Sequence, residues 1–538
     1  MNQATGRKTQ SAQAKWLFWV LLFALGLVAV WFMRYLTPEG MGLVNDSVGY
    51  IGGARNIAAG NGYSRLKGNG EPAPITNFPP FFSIVLAGIS LLGPDPIEGS
   101  LVLNVLLYGA NVMMMGLLTR QATGSGLWGL AGAVLLAATE PFFRAHTFTM
   151  SDPLYLFLSF VALWSYVEYN QTKRWLWLAT SGLFASLAFI TRYVGVSLYG
   201  TVTLCLLLFS SKEKETFINW RRFLKDMGIF LTAGMPIALL WLGRNFIVSS
   251  NAGNRQLLWH PVTKKMLEEG MVNFWGWLFP EVGGWIERYL PLLTVVFFAM
   301  LLLLVAGVFA GFVFYKREKP EFVGKQFKTG WVFALHALMY LTMLVITLTI
   351  LDASPIFENR ILLPVYISLI VVFVVVLSWM WRSSRPVLMA AAMMLALGLL
   401  VSFAEDGMDA VAELRQDGQG FAHSSWAQSD VVAAVKELDD VTLYSNKITA
   451  IYILTGKPAY VVPSPFNPAT RLPREGYEED MANIHEDVLA GRAVMVIFDY
   501  YGLKNDPEDA QWMEDIAEGM PVLRDYEDGV IFGIDPKN

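Results

Sequence analysis

Long apolar runs are the feature that most constrains how this chain folds. The first run, residues 16–36, follows the basic residues Arg7, Lys8 and Lys15, and its roughly 20 residues can cross a bilayer as a helix. It is too long for the apolar region of a cleaved signal peptide, so we expect a retained anchor. Ten further runs lie at 97–119, 125–142, 151–169, 174–190, 193–210, 226–247, 289–314, 329–351, 361–381 and 386–404. With 54% hydrophobic and only 16% charged residues, the sequence predicts a polytopic α-helical membrane protein with about eleven transmembrane helices.

One further apolar run, residues 81–93, is short for a crossing at about 13 residues. It therefore suits a surface or re-entrant helix. If it does not cross, one face of the membrane receives nearly all basic clusters: Arg7/Lys8/Lys15, Arg120, Lys173/Arg174, Lys212 to Lys225, Lys316 to Lys328 and Arg382/Arg385. Cytoplasmic loops carry such an excess, so we expect the N-terminus in the cytoplasm and the C-terminus outside the inner (plasma) membrane.

The predicted topology divides the chain into a cytoplasmic N-terminus (1–15), a transmembrane domain (16–404) with outer loops at 37–80 and 249–288, and an outer domain (405–538). From Ala404 onward the chain holds 26 acidic and 10 basic residues, which leaves 45 − 26 = 19 acidic and 40 − 10 = 30 basic residues upstream. Strand signals at 441–444, 459–462 and 493–498 alternate with helix signals, and a hairpin is predicted at 522–534. The tail is thus predicted to be a soluble, acidic α/β domain. It lacks a phosphate loop or nucleophile elbow, which favours a lid or docking role.

Several charged residues lie at the predicted outer ends of different spans. A lipid donor with a phosphate headgroup needs cations near the headgroup layer while its isoprenoid tail lies between helices. Arg192, Arg244 and Arg360 are the residues that we predict to bind such a phosphate. The alternative is that each arginine reaches the interface or pairs with a nearby carboxylate, as Glu358 could pair with Arg360.

Asp46 is the predicted catalytic residue, because it lies just outside the first span in a loop rich in Gly and Pro. As a general base it would take the proton of an acceptor hydroxyl or amine that attacks the anomeric carbon of a sugar, and one such displacement inverts the anomeric configuration. The alternative is a helix cap or a solvated carboxylate. Asp152, Arg55 and Glu358 are predicted to position the acceptor or a metal. A divalent cation between Asp46 and Asp152 stays open.

Parts of the sequence resemble a known family. The first-loop stretches are Asn45-Asp46-Ser47-Val48-Gly49-Tyr50, Ala54-Arg55-Asn56-Ile57 and Asn77-Phe78-Pro79-Pro80. Others are Met150-Ser151-Asp152-Pro153, Thr191-Arg192-Tyr193, Trp241-Leu242-Gly243-Arg244-Asn245 and Glu358-Asn359-Arg360-Ile361. They look like those of the C-type glycosyltransferase superfamily and are similar to dolichyl-phosphate-mannose protein mannosyltransferases and lipid A aminoarabinose transferases. The resemblance spans most of residues 16–404. Many relatives have two adjacent acidic residues where this chain has Asn45 and Asp46.

The resemblance implies a C-type fold, a polyprenyl-phosphate sugar as donor, an essential first-loop aspartate at Asp46 and an active site on the outer side. The expected partners are this donor, membrane lipid and an acceptor that is a protein, a lipid or a glycan, with no nucleic acid. Three alternatives stay open. They are a polysaccharide ligase or polymerase that uses a lipid-diphosphate glycan, a transporter, and a non-catalytic scaffold.

Overall fold

The chain forms a large helical bundle followed by a small α/β module. The computed structural model describes residues 2–66, 71–209, 218–253, 255, 257–279, 284–318, 326–351, 357–383, 385–438, 441–467, 470–506 and 509–534. Parts of both predicted outer loops, residues 67–70 and 280–283, lie outside these ranges.

The helices of the described residues fall into an N-terminal and a C-terminal set. The first set is α1 (Asn2–Leu36), α2 (Asn45–Ala58), α3 (Phe81–Ser90), α4 (Pro96–Thr123), α5 (Gly126–Ala138), α6 (Glu140–His146), α7 (Asp152–Thr172), α8 (Trp175–Phe189), α9 (Val196–Leu208), α10 (Trp220–Ser249), α11 (Lys264–Leu278), α12 (Trp285–Glu318), α13 (Gln326–Ile346), α14 (Asn359–Arg382) and α15 (Pro386–Asp417). The second is α16 (Ser424–Ala427), α17 (Asp430–Glu437), α18 (Ile448–Thr455), α19 (Tyr477–Leu489), α20 (Tyr500–Asn505) and α21 (Ala510–Ala517). A 3₁₀ turn (Tyr193–Gly195) precedes α9, and a π-helical turn (Thr347–Leu351) ends α13.

Seven of the described helices are long and apolar enough to cross a membrane, and the chain is a multi-pass membrane protein. They lie in α1, α4, α10, α12, α13, α14 and α15. An eighth crossing is possible if α5 and α6, which meet at a 66° bend, form one broken span. The polytopic helical fold is confirmed, but the predicted count of eleven crossings is not.

The predicted and observed numbers of crossings differ because several apolar runs in the middle of the bundle form helices that are too short or too polar to cross a membrane. α9 has 13 residues and α8 has 15, so at 1.5 Å per residue each rises only about 20 Å, less than the roughly 30 Å hydrocarbon core. α7 has 21 residues but carries Asp152 and Glu168. α3, with ten residues, is also too short to cross.

Glycines allow the helices of the bundle to approach closely. A Cβ on Gly182 of α8 would overlap the backbone oxygen of Phe230 on α10, and one on Gly234 would lie 2.7 Å from the oxygen of Gly182. α1 and α4 meet in the same way, because a Cβ on Gly109 would lie 2.8 Å from the oxygen of Gly26. Small residues at helix contacts are typical of membrane bundles, where close packing drives association.

The crossing of α8 and α10 gives a first prediction. Gly182→Ala should force the two helices apart and cost about 1–3 kcal/mol, because the added methyl group meets backbone that cannot rotate away. Thermal unfolding in detergent measures this cost. Gly228→Ala on α10 is the matched control, since no described atom lies within 4 Å of its Cβ position. Equal melting temperatures for the two variants would contradict the close approach.

The first outer loop packs around α2 and α3. Its two short strands, β1 (Ser64–Leu66) and β2 (Pro72–Pro74), pair antiparallel. The buried Tyr50 of α2 contacts Phe82 of α3 with ring centroids 5.2 Å apart, and the Ser83 hydroxyl donates to the Tyr50 carbonyl oxygen at 2.9 Å. These contacts fix the orientation of α2 against the bundle.

The C-terminal module is an α/β domain built on one five-stranded sheet. Its strands are β3 (Thr442–Ser445), β4 (Tyr460–Val461), β5 (Ala493–Phe498), β6 (Val522–Tyr526) and β7 (Gly529–Phe532), in the order β4-β3-β5-β7-β6. β3 pairs parallel with β4 and β5, whereas β7 pairs antiparallel with β5 and β6. All six residues of β5 are buried, with an apolar core on each face. The predicted α/β fold of the tail is thus confirmed. The preceding helix α15 continues to Asp417, beyond the predicted end at 404.

Candidate active site

Asp46 lies in the first turn of α2, in the part of the chain predicted to be the first outer loop. The Val44 amide, just before this turn, donates to the Ser47 hydroxyl at 3.0 Å. A carboxylate in the first turn of a helix is stabilised by the partial positive charge of the helix N-terminus. Within the described part of the chain, no donor is hydrogen-bonded to the half-buried Asp46 carboxylate. Its oxygens are thus available to a substrate.

Asp46 faces a polar cavity of about 620 Å³, which we call the polar cavity. It is lined by Val44, Asn45, Asp46, Glu140, Pro141, Arg144, Ala145, Phe148, Asn273, Glu358, Asn359 and Arg360. These residues come from α2, α6, α11 and the start of α14, which are far apart in the sequence. The cavity combines carboxylates, guanidinium groups and amides, the set of groups that can hold a sugar and an anion together.

Arg360 is the predicted anion-binding residue that reaches this cavity. It lies in the first turn of α14, and its Nε is buried with no hydrogen-bond partner among the described residues. The predicted alternative, an ion pair with Glu358, does not occur in the structure as described. A buried cationic donor without a partner at a helix N-terminus is well placed to bind an anion.

Arg192 and Asp152 lie outside the lining of the polar cavity and pair with each other. Arg192 Nη1 donates to Asp152 Oδ2 at 2.6 Å, and Asp152 is only 5% exposed. Beside them the Tyr50 hydroxyl lies 3.0 Å from the Ser151 hydroxyl. Burial raises the pKa of Tyr50 to about 12, so this phenol keeps its proton. The pair is thus a buried ion pair behind α2.

Arg244 and Arg55 are not brought to the polar cavity. Arg244 Nη1 donates to the Ile75 carbonyl oxygen at 2.5 Å, and its Nη2 donates to the Tyr63 carbonyl oxygen at 3.2 Å. Arg55 pairs with Asp95, with Nε to Oδ2 at 3.0 Å and Nη2 to Oδ1 at 3.2 Å. Arg244 thus links α10 to the first predicted outer loop, and Arg55 links that loop to the start of α4.

A second and larger cavity of about 1130 Å³ lies beside the polar one, and we call it the apolar cavity. Its walls are aliphatic and aromatic side chains of α11 to α15, including Phe274, Phe297, Leu341 and Phe403. Lys264 and Thr263 are among the few polar residues that line it. A cavity of this kind fits a hydrocarbon ligand, since it offers apolar area and few hydrogen bonds.

The two cavities share a wall made by α11 and the start of α14. Asn273 lines the polar cavity, and its amide donates to the backbone oxygen of Phe357, which lines the apolar one, at 2.9 Å. The Tyr366 hydroxyl donates to Asn359 Oδ1 at 3.0 Å across the same boundary. The two cavities thus adjoin and differ in polarity, as the two ends of a ligand with a polar head and an apolar tail do.

Metal ligands do not cluster in the described residues, which contain no group of three or more His, Cys, Asp or Glu side chains that could hold an ion. The Asp152 carboxylate binds Arg192 and does not line the cavity of Asp46. His146 is buried, with its ring nitrogens 2.7 Å from the Phe142 carbonyl oxygen and 3.1 Å from the Asn111 amide.

Sequence reasoning missed four residues that line the polar cavity: Asn273, Asn359, Glu140 and Arg144. Arg144 and Glu140 form an ion pair within α6, and Arg144 Nη2 also lies 2.9 Å from Glu413 Oε2. The outer-end position of Arg144 was a usable signal. Glu140 precedes Pro141 at the bend between α5 and α6. Asn273 lies in α11, within the segment 249–288 that the sequence predicts only as an outer loop.

Solved structures with a similar fold were found. ArnT from Cupriavidus metallidurans in the apo state matches with 14% identity and a TM-score of 0.53, over 96% of this chain and 97% of that chain. The oligosaccharyltransferase AglB from Archaeoglobus fulgidus, in complex with an inhibitory peptide and a dolichol-phosphate, matches with 10% identity and a TM-score of 0.56, over 93% of this chain and 71% of that chain. No protein-family model and no curated protein sequence matches this chain. The likenesses confirm the predicted C-type glycosyltransferase fold.

Proposed function

We propose that this protein is an inverting glycosyltransferase that moves a sugar from a polyprenyl-phosphate donor to an acceptor at the outer face of the membrane. The observation that carries the proposal is the pair of adjoining cavities. One holds an unpaired carboxylate and a guanidinium with a free donor, and the other is apolar and large. The dolichol-phosphate in the AglB complex supports a donor of this class on this fold.

The donor is placed by its chemistry. The prenyl chain occupies the apolar cavity, where burial of its methyl and methylene groups stabilises the complex by roughly 25 cal/mol per Å². Its phosphate lies at Arg360, in the first turn of α14. The sugar then faces the amides of Asn273 and Asn359 in the polar cavity. Arg192 is neutralised by Asp152 behind α2, and Arg244 donates to carbonyl oxygens of the first loop, so neither contacts the phosphate in this placement.

Asp46 is the general base of the proposed reaction. It takes the proton from the acceptor hydroxyl or amine as the acceptor oxygen or nitrogen bonds to the anomeric carbon of the sugar. The bond from that carbon to the phosphate oxygen breaks, and polyprenyl phosphate leaves with the electron pair. The base approaches from the side opposite the leaving group, so one displacement inverts the anomeric carbon.

The test uses the full chain in lipid nanodiscs with undecaprenyl-phosphate-linked pentoses and hexoses of known anomeric configuration. We expect release of undecaprenyl phosphate and, with an acceptor extract of cell-envelope glycans, lipids and proteins, a product of inverted configuration. Transfer from a nucleotide sugar, retention of configuration, or no release of undecaprenyl phosphate from any of these donors would contradict the proposal.

Charge in the polar cavity predicts which lipid phosphate binds. The lining holds two arginines and three carboxylates, Asp46, Glu140 and Glu358, so its formal charge is 2 − 3 = −1. Each further negative charge on the ligand is therefore repelled. We expect undecaprenyl phosphate to bind at least about tenfold more tightly than undecaprenyl diphosphate, a difference of roughly 1.4 kcal/mol.

Competition binding in nanodiscs measures this preference, with undecaprenol as the control for the tail alone. Tighter binding of the diphosphate would favour the alternative of a polysaccharide ligase or polymerase.

A further inference from the structure

The segment that leads into α2 is held by backbone hydrogen bonds on both sides. On one side the Gly42 amide donates to the Thr147 oxygen at 2.8 Å, and the Thr149 amide donates to the Gly42 oxygen at 2.9 Å. On the other side the Phe421 amide, which follows α15, donates to the Leu43 oxygen at 2.7 Å. Gly42 and Leu43 thus form isolated backbone bridges to Phe148 and Gly420, and Leu43 lies three residues before Asp46.

Gly420 approaches Leu43 so closely that a side chain at position 420 would not fit. Gly420 pairs with Leu43 and has φ +56°, and a Cβ at this position would overlap the Leu43 carbonyl oxygen. Next to it the Gln419 amide donates to the Thr147 hydroxyl, and a Cβ on Gly42 would lie 2.6 Å from Gln419 Cγ. The chain after the last span therefore determines the path of the backbone that enters α2.

A side chain of the α/β module makes a second contact at the catalytic turn. The Thr449 hydroxyl, in the first turn of α18, donates to Asn45 Oδ1. Asn45 lines the polar cavity and directly precedes Asp46. α18 thus contacts the turn of α2 that carries the catalytic carboxylate.

A third contact joins the same segment to another wall of the cavity. Glu413 lies on the outer extension of α15, and both of its carboxylate oxygens accept from Arg144, at 3.2 and 2.9 Å. The three contacts start from the last turns of α15 or from the chain after it, and all end on residues that line the polar cavity or lead to it.

We propose that the C-terminal segment is a positioning element of the catalytic site, in which Gly420 and Thr449 hold residues 43–46 so that Asp46 faces the polar cavity. This inference rests on the proposed role of Asp46. A general base works only within hydrogen-bond reach of the proton that it removes, so a shift of about 1 Å in α2 can cost up to roughly 100-fold in rate. The sequence predicts a lid or docking role for the α/β module. Under this proposal, the module also positions the catalytic residue.

Hydrogen exchange of the full chain in nanodiscs tests the backbone contact. Gly420→Ala should raise the exchange rate of the amides of residues 43–50 about tenfold, because the backbone bridge to Leu43 opens and the first turns of α2 lose their support. Gly456→Ala is the matched control. Its glycine also has positive φ, at +73°, but no described atom lies within 4 Å of its Cβ position. This control should leave residues 43–50 unchanged.

Thr449→Val and Thr449→Ser test the side-chain contact. The valine variant should raise exchange in residues 43–50 and lower kcat about tenfold, with unchanged affinity for undecaprenyl phosphate, and the serine variant should restore both values. Thr455→Val, at the other end of α18, is the control, since that hydroxyl donates to the Ile451 oxygen at 2.7 Å. The sugar donors for the kcat measurement are the same undecaprenyl-phosphate-linked pentoses and hexoses that test the proposed function.

Unchanged exchange in residues 43–50 for both Gly420→Ala and Thr449→Val would overturn the positioning role, whatever the turnover. If exchange rises as expected while Asp46→Asn keeps full turnover, the proposed function fails, and the positioning role fails with it. Faster exchange in residues 43–50 with unchanged kcat in both variants would overturn the positioning role alone.

Discussion

Asp46→Asn is expected to lower turnover by roughly 10²–10⁴-fold while the protein folds normally and binds undecaprenyl phosphate as before. The amide has the shape of the carboxylate but cannot accept the acceptor's proton, and general-base catalysis contributes about this factor. Binding is retained because the phosphate and prenyl chain are proposed to bind at Arg360 and in the apolar cavity. Single-turnover transfer and equilibrium binding measure the two quantities separately.

Asp95→Asn is the matched control for this substitution. Asp95 is also a carboxylate of the outer surface, but it pairs with Arg55 and does not line the polar cavity. The side chains of this pair are each 40% exposed, so its loss should have little effect on stability. Equal turnover in Asp46→Asn and the wild type would show that Asp46 is not the general base.

Arg360→Ala is expected to weaken binding of undecaprenyl phosphate by about 10–100-fold. Loss of hydrogen bonds to a charged group costs about 1.5–3 kcal/mol, and each 1.4 kcal/mol is a factor of ten in affinity. Undecaprenol, which has the same tail without the charge, should bind equally to the variant and the wild type. Isothermal titration in nanodiscs or native mass spectrometry measures both ligands.

Two further variants sharpen this result. Arg360→Lys keeps the charge but loses the planar fork, so we expect an intermediate affinity. Arg55→Ala removes a guanidinium that is engaged with Asp95 outside the polar cavity, and it should leave affinity unchanged. If Arg55→Ala weakens binding as much as Arg360→Ala, the phosphate site is not at α14.

The helical class of this protein followed from its apolar runs and composition, and the α/β class of its tail from alternating strand and helix signals. Each apolar run that we identified forms helix, and the strand predicted at 493–498 coincides with β5. The number of crossings did not follow, because hydropathy does not show where a helix ends. The break before Tyr193 and the bend at Thr139 shorten α8, α9 and α5 below the thickness of a membrane.

The candidate site was predicted in part. The structure brings Asp46, Glu358 and Arg360 to one cavity, because the outer ends of helices at a similar depth meet there. Sequence position did not show which arginines have other partners. Arg244 donates to loop carbonyl oxygens, and Arg192 pairs with Asp152. These contacts depend on tertiary packing that a single sequence does not reveal.

The contact between the tail and α2 was also not predictable from sequence patterns. Leu43 and Gly420 are separated by most of the chain, and they meet through backbone atoms that carry no side-chain signal. Gly418 directly follows α15 and reads as a helix end, whereas Gly420 carries no such sequence signal. Its close approach to Leu43 requires the structure.

Cryo-electron microscopy of the full chain in nanodiscs with undecaprenyl phosphate shows where the lipid donor binds. We expect density for the phosphate at Arg360 in the polar cavity, on the side of α14, with the prenyl chain in the apolar cavity between α12 and α14. A phosphate bound outside the polar cavity, away from both Arg360 and Asp46, would contradict the proposed donor site.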